Sequence, residues 1–258
     1  MNVTLTIDGR RVEVPQGNMI LDAARSAGIE IPALCAHEAL EPWGGCRLCV
    51  VEITKPGWDD WRKLVASCLY PVEEGLVVYT SSERVMEVRR TVLDLLLARA
   101  PGSETIRELA RQHGVIESSF EPVADADRCI MCGLCYRICD ALGISAIAPA
   151  SRGFDRYVTL PYDQVSDACI GCLACAHICP TDNIPFEEDG KTRRIWDREF
   201  RLVACQKCGR AFITEEQLAY HVEQSGLPRE TFLTCDRCKR AELSQTIQRI
   251  GAWTEEER

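Results

Sequence analysis

Apolar and polar positions alternate from Val3 to Ile7, break at Asp8-Gly9, and alternate again from Arg11 to Val14. Alternation at period two marks a half-buried strand, and Asp-Gly marks a two-residue turn, so the opening predicts a β-hairpin. The period then lengthens. Met19, Ile20, Ala23, Ala24 and Ala27 fall on one face of a helix that Asn18 is placed to cap and Gly28 to end. Strand-like runs follow at Cys49–Ile53, Lys63–Leu69 and Leu76–Tyr79. From Glu83 to Arg99 the period is helical again, with Val85, Val88, Val92, Leu95 and Leu96 read as the inward face. Ser103 is placed to cap a second helix at Thr105–Gln112, although the acid of a full capping box is missing. Beyond this the pattern thins. Ile144–Ile147 and Tyr157–Leu160 suggest short strands or turns, and Glu215–Gln224 a helix. A strand pair, a helix and further strands predict a small α+β roll followed by a helical connector.

Composition adds limits. The chain has 258 residues, of which 46% are apolar and 27% charged, as in soluble globular proteins of two or three small domains. No stretch approaches the ~20 apolar residues that cross a bilayer. The nearest, Thr91–Ala100, carries Asp94 and Arg99. The N-terminal MNVTLTIDGRR lacks an apolar signal region, so the expectation is a cytoplasmic protein with no direct membrane insertion. A net charge of −9 argues against general nucleic-acid affinity, which depends on neutralising phosphates.

The sixteen cysteines change the picture. They divide without remainder into Cys35/Cys46/Cys49/Cys68, Cys129/Cys132/Cys135/Cys139, Cys169/Cys172/Cys175/Cys179 and Cys205/Cys208/Cys235/Cys238. A secreted disulfide scaffold is also cysteine-rich, but CxxC clusters in a chain this long read as metal sites. Four thiolates suit zinc or an iron–sulfur cluster, whose metals favour soft sulfur donors. In the first set Gly44 and Gly45 precede Cys46. Glycines allow the backbone angles that turn amide N–H groups toward sulfur, and such bonds raise a cluster's potential.

The second and third sets are two copies of one motif. Asp127-Arg128-Cys129-Ile130-Met131-Cys132-Gly133-Leu134-Cys135-Tyr136-Arg137-Ile138-Cys139 recurs forty residues on, from Asp167 to Cys179. This C-x₂-C-x₂-C-x₃-C spacing is the bacterial dicluster ferredoxin signature, in which the fourth cysteine of each copy serves the other cluster. One 4Fe–4S cluster would then take Cys129, Cys132, Cys135 and Cys179, and the other Cys169, Cys172, Cys175 and Cys139. Pro180 follows the second copy, whereas Asp140 stands at that place after the first. Ile130, Ile138, Ile170 and Ile178 are expected to keep water off both. His177, inside the second motif, either tunes a potential or lies at the surface.

Cys205-x₂-Cys208 and Cys235-x₂-Cys238 form a Cys₄ tail site, expected to hold one zinc, with a further 4Fe–4S cluster as the alternative. Cys205, Cys208, Phe212, Leu218 and His221 also match the first part of a C₂H₂ finger. No second histidine follows, so His221 is read as a surface residue or a neighbour of the ligands rather than as a ligand. Lys191, Arg193, Arg194, Arg198 and Arg201 would touch a partner or form a solvated basic face.

The run ALCAH…GGCRLCVVEI…ASC resembles the 2Fe–2S β-grasp domain of the large iron–sulfur subunit of complex I. It also resembles the N-terminal part of iron-only hydrogenases and the diaphorase small subunit of NAD-reducing hydrogenases. Plant-type ferredoxins differ, with four residues where this chain has ten between Cys35 and Cys46. Those relatives carry a His-x₃-Cys-x₂-Cys-x₅-Cys site after the next helix. Here its cysteines are absent, and His113 reads as a helix-end histidine. The stretch CQKCGRAFITEEQL…CDRCKR is similar to the C-terminal extension of dicluster subunits in formate hydrogenlyase-type and membrane-bound hydrogenase complexes.

These resemblances imply an α+β chain in three parts joined by a connector. Residues 1–82 would form a 2Fe–2S β-grasp domain, 83–122 a helical linker, 123–192 a dicluster ferredoxin domain and 193–258 a small zinc-ribbon-like domain. One 2Fe–2S cluster would sit on Cys35, Cys46, Cys49 and Cys68. The chain has no GxGxxG, no P-loop, no nickel–iron cysteine set and no Ser/His/Asp group. It is therefore expected to be non-catalytic by itself. It would relay electrons within a hetero-oligomer, between a flavin- and NAD(P)H-binding subunit and a catalytic hydrogenase or formate dehydrogenase-like subunit. The alternative is a redox-sensing, nucleic-acid-binding module using the finger-like tail.

Overall fold

In the computed structural model the described residues are 1–59, 61–123 and 128–256. Asp127, the acid that opens the first copy of the repeat, lies outside them. Within them the chain is a mixed α/β structure. β1 (Asn2–Ile7) and β2 (Arg10–Pro15) pair antiparallel, with Leu5 opposite Val12. Asp8 and Gly9 between them both have positive φ, 47° and 80°, the turn whose twist matches that of the strands.

α1 (Ile20–Ser26) starts one residue later than expected, with Met19 rather than Asn18 at its N-cap. Asn18 belongs to the preceding loop, donating its N–H to Pro15 O and accepting at its carbonyl from Val72 N–H. β3 (Val50–Thr54), β4 (Lys63–Ala66) and β5 (Val77–Tyr79) complete a five-stranded sheet in the order β2-β1-β5-β3-β4. β5 runs parallel to β1 and antiparallel to β3. Ile20 and Leu21 of α1 pack on Leu5, Ile7, Val51, Ile53 and Val78, all essentially sealed from water. Burying each such side chain is worth roughly 1.5–3 kcal/mol.

α2 (Glu83–Arg99) is capped by Ser82, whose hydroxyl accepts from Val85 N–H. Its buried stripe is Val85, Arg89, Leu93 and Leu97. This is rotated from the apolar face read in the sequence, and Leu95 is 48% exposed. The reason is Arg89, a charged residue turned inward because two backbone carbonyls wait for it. α3 (Glu104–Gln112) is capped by Ser103, which accepts from Ile106 N–H at 3.3 Å. His113 closes α3, with Nδ1 2.9 Å from Leu109 O.

The first cysteine repeat runs into α4 (Leu134–Ala141). Ile144–Ile147 is not a strand: the N–H groups of Ile144 and Ser145 bond Cys139 O, and that of Ala146 bonds Cys139 Sγ. A short antiparallel pair, β6 (Ala148–Ala150) with β7 (Tyr157–Thr159), follows instead. The second repeat leads into α5 (Ala174–His177). Then come β8 (Phe186–Glu188), β9 (Thr192–Ile195), β10 (Arg198–Ala204) and β11 (Ala211–Thr214), a four-stranded antiparallel sheet in the order β11-β10-β9-β8. α6 (Glu215–Ser225), capped by Thr214, and α7 (Asp236–Glu256) end the chain. Among the described residues no helix is long and apolar enough to cross a membrane.

Candidate iron–sulfur and metal centres

The first four cysteines meet between the five-stranded sheet and α2. All four are nearly inaccessible. They stand as two pairs. Cys49 Sγ lies 3.4 Å from Cys68 Sγ, while Cys46 N–H donates to Cys35 Sγ at 3.3 Å and Leu34 N–H to Cys46 Sγ at 3.4 Å. Within each pair one thiol donates to the other. The side-chain hydrogen bond with Cys35 brings Cys46 down to about 6, and that with Cys68 does the same for Cys49. Cys35 and Cys68 move up for the same reason, reinforced by burial. Four thiolates this close repel one another unless a multiply charged cation joins them. Beneath them Arg89, 4% exposed, donates from Nε to Leu48 O at 3.2 Å and from Nη2 to Val50 O at 2.9 Å. It fastens the Cys46-x-x-Cys49 loop to α2.

The two repeats share their left-handed backbone positions. Met131 and Gly171, at matching positions, have φ of 52° and 64°, and Gly133 and Leu173 have φ of 79° and 64°. Two of these four are not glycine, and a left-handed residue with a side chain costs about 1–2 kcal/mol. The strain is kept in both copies because it wraps the chain around its sulfurs. Met131 N–H donates to Cys129 Sγ, and Asn183 N–H to Cys179 Sγ, each at 3.4 Å. One cavity of about 520 Å³ is lined by Cys129, Cys132, Cys135 and Cys179. A second, tighter cavity is lined by Cys139, Cys169, Cys172 and Cys175. Each thus gathers three cysteines of one copy and the fourth of the other. Burial drives Cys132 and Cys175 up to about 11 and Cys135 to about 12, with neighbouring thiolates adding to the effect. Ile130 is buried at the first cavity, and Ile138, Ile170 and Ile178 are half-buried. His177 is exposed, its ring edge-on to Phe186.

The sites adjoin. Cys35, Cys46, Leu48, Ile130 and Cys132 belong to one apolar core. A Cβ on Gly45 would lie at van der Waals distance, 3.7 Å, from Cys132 O, which shows how near the two loops come, and 2.7 Å from the ring of Trp43 on its own loop.

In the tail the sulfurs of Cys205, Cys208, Cys235 and Cys238 all lie within 4.8 Å of one another. Cys235 N–H donates to Cys205 Sγ at 3.3 Å, and with the Cys208 N–H it lowers that thiol to about 6. His221 lies apart from this group, stacked on Phe232 with ring centroids 5.7 Å apart. The basic run divides. Lys191, Arg194 and Arg201 are exposed, but Arg193 is buried and donates to Gly171 O at 2.6 Å. Arg198 donates to the carbonyls of Ser166, Asp167 and Cys169 at 2.9–3.0 Å. These two arginines hold the second cysteine loop, so they form neither a partner contact nor a solvated face. Arg89, Arg193, Arg198 and Trp196 are the site residues that sequence reasoning missed. A charge midway between Val85 and Leu93, four residues from each, was the available signal for Arg89.

Residues 1–83 match the 2Fe-2S iron-sulfur cluster binding domain family, and residues 123–186 the 4Fe-4S dicluster domain family. The chain is 34% identical over 210 residues to NADP-reducing hydrogenase subunit HndD of Solidesulfovibrio fructosivorans, covering 69% of this chain and 35% of that protein. It is 32% identical over 182 residues to the mitochondrial NADH-ubiquinone oxidoreductase 78 kDa subunit of Candida albicans, covering 60% of this chain and 25% of that protein. A chain in the crystal structure of NAD⁺-reducing NiFe-hydrogenase in the H₂-reduced state is 35% identical. It superposes with a TM-score of 0.54, covering 61% of this chain and 74% of that one. The chain belongs to the iron–sulfur subunit family shared by NADH-quinone oxidoreductases and NADP-reducing hydrogenases. This member of the family spans about a third or less of the length of the two curated relatives above. Its residues 187–258, with the Cys₄ tail, lie beyond both domain matches.

Proposed function

We propose that this chain is the electron-transfer subunit of a multisubunit cytoplasmic oxidoreductase. It relays electrons between a flavin- and NAD(P)H-binding subunit and a catalytic subunit of hydrogenase or formate dehydrogenase type. Residues 1–82 are a β-grasp domain for a 2Fe–2S cluster, with Cys35 and Cys46 on one iron and Cys49 and Cys68 on the other. Residues 83–122 link it to a dicluster domain, 123–192. There Cys129, Cys132, Cys135 and Cys179 hold one 4Fe–4S cluster, and Cys169, Cys172, Cys175 and Cys139 the other. The observation that carries this reading is the pair of cavities lined by those crossed cysteine sets.

Bound clusters supply one-electron storage at low reorganisation. The chain's own part is to present ionised sulfur, aim N–H groups at it and exclude water. It also fixes the order of the sites, with the 2Fe–2S ligands against Cys132 and the second cubane's ligands against the C-terminal sheet. Residues 193–258 form a zinc-ribbon-like unit on Cys205, Cys208, Cys235 and Cys238. Zinc is favoured over a further cluster because a tetrahedral ion with Zn–S of about 2.3 Å sets its sulfurs about 3.8 Å apart. Cys208 Sγ and Cys235 Sγ are 3.8 Å apart. No comparison favours the nucleic-acid reading.

The test is anoxic purification of the intact complex, with metal, sulfide and subunit analysis. About ten iron, about ten acid-labile sulfide and about one zinc per chain are expected, together with a flavoprotein and a catalytic subunit. Colourless protein with oxidised cysteine pairs would overturn the cluster assignment. A brown but solitary monomer would overturn the assigned partners.

A further inference from the structure

The β9–β10 hairpin reaches back from beyond the dicluster match and closes over the second cubane's ligands. Its turn is Trp196-Asp197, with φ of 53° and 57°. A primed turn normally uses Asn, Asp or Gly, so the bulky Trp196 is the residue that carries strain here. The strained turn has a result. It delivers the indole of Trp196 to the wall shared by both cysteine cavities, with Nε1 3.5 Å from Cys175 Sγ. Either side of the turn is fastened to the same loop, by Arg193 to Gly171 O and by Arg198 to Cys169 O. Phe200, fully buried, fills the space where Gly171 has no side chain.

We propose that Trp196 is a positioning and tuning residue for the second cubane. Its indole N–H is a fixed donor to the Cys175 thiolate and raises that cluster's reduction potential above what its backbone cage alone would give. The proposal rests on the reading that Cys139, Cys169, Cys172 and Cys175 hold one cluster. A reduced cluster carries one more negative charge than an oxidised one, so a donor aimed at a ligand sulfur stabilises the reduced form more. Tryptophan is suited to the task, because it donates one N–H, accepts nothing and stays neutral at every working pH. It also shields: a half-buried indole at the shared wall takes space that water would otherwise occupy beside that sulfur.

Trp196→Phe keeps an aromatic ring, though a smaller one, and removes the donor. In EPR-monitored redox titrations of the full chain, one of the two cubane midpoints should fall. The expected loss in its reduction equilibrium is roughly threefold to tenfold, the upper figure being about 59 mV for a one-electron couple. Cys172→Ser and Cys132→Ser assign the signals, and the first cubane and the 2Fe–2S midpoints should stay put. Site-specific replacement of Trp196 by its benzothienyl analogue, which has sulfur in place of N–H, gives the same test without altering the packing if Trp196→Phe loses its cluster. Both cubanes present with unchanged midpoints in the analogue would overturn the proposal alone. Absence of any cubane from the unaltered protein would overturn the ligand assignment beneath it.

Discussion

Arg89 is the residue on which the 2Fe–2S loop most depends. Arg89→Met keeps the helix and much of the apolar contact but removes two charge-assisted bonds, to Leu48 O and Val50 O. Leu48 is 0% and Val50 8% exposed, so water cannot readily replace the lost donors. Hydrogen bonds to a charged group contribute about 1.5–3 kcal/mol each. Against their loss stands the relief of a buried guanidinium, whose burial pulls its pKa down. The net loss is about 2–4 kcal/mol, which in a domain this small lowers the midpoint of unfolding by roughly 10 °C or more. The assay is thermal loss of the visible circular dichroism of the 2Fe–2S centre at a fixed heating rate. Arg89→Lys should fall between, since one ammonium cannot span both carbonyls as the planar fork does. An Arg89→Met protein indistinguishable from the unaltered one would refute the claim that this side chain fastens the loop.

Other consequences are separable from that one. Gly171→Ala places a Cβ 2.8 Å from the Phe200 ring at a φ of +64°, and strain plus overpacking should destabilise the second cysteine loop by about 2–4 kcal/mol, read as faster iron loss under chelator. Asp94 accepts from the Ser119 and Ser118 hydroxyls and from Ser119 N–H, which hold its carboxyl below the usual aspartate range. A carboxyl lowered on folding stabilises above the unfolded value of about 3.9 and ceases to as pH falls through the folded one. Protection of the Ser118–Phe120 amides, corrected for intrinsic exchange, should therefore hold from pH 8 down to the unfolded value of about 3.9 and be lost only as pH falls further, through the folded one. Cys205→Ser should remove about one zinc per chain and leave the iron content unchanged. Loss of about four iron and four acid-labile sulfide instead would show the tail site to be a 4Fe–4S cluster.

What the chain reveals before folding follows from which forces act locally. The β1–β2 hairpin and the Ser103 cap are set by neighbours in sequence, a turn dipeptide in one case and a hydroxyl three residues from its donor in the other. Both were legible. The inward face of α2 was not, because apolar spacing has no way to announce that a charged residue will be buried against carbonyls of another element. Ile144–Ile147 reads as a short strand or turn, yet the structure spends the N–H groups of Ile144, Ser145 and Ala146 on Cys139. α4 and α5 show little helical periodicity because their positions are occupied by thiols facing a cavity. The grouping of cysteines around the two cavities follows the spacing that occurs twice in the sequence. The hairpin that covers them was hidden in a run of arginines that looked like surface and whose partners lie up to thirty-two residues away.

The crossing of the fourth cysteines is the point on which the account turns, and Cys179→Ser tests it directly. In EPR of the dithionite-reduced protein, with Cys132→Ser and Cys172→Ser as references, the account predicts damage to the cluster that also depends on Cys132. Damage confined to the cluster that depends on Cys172 would contradict it.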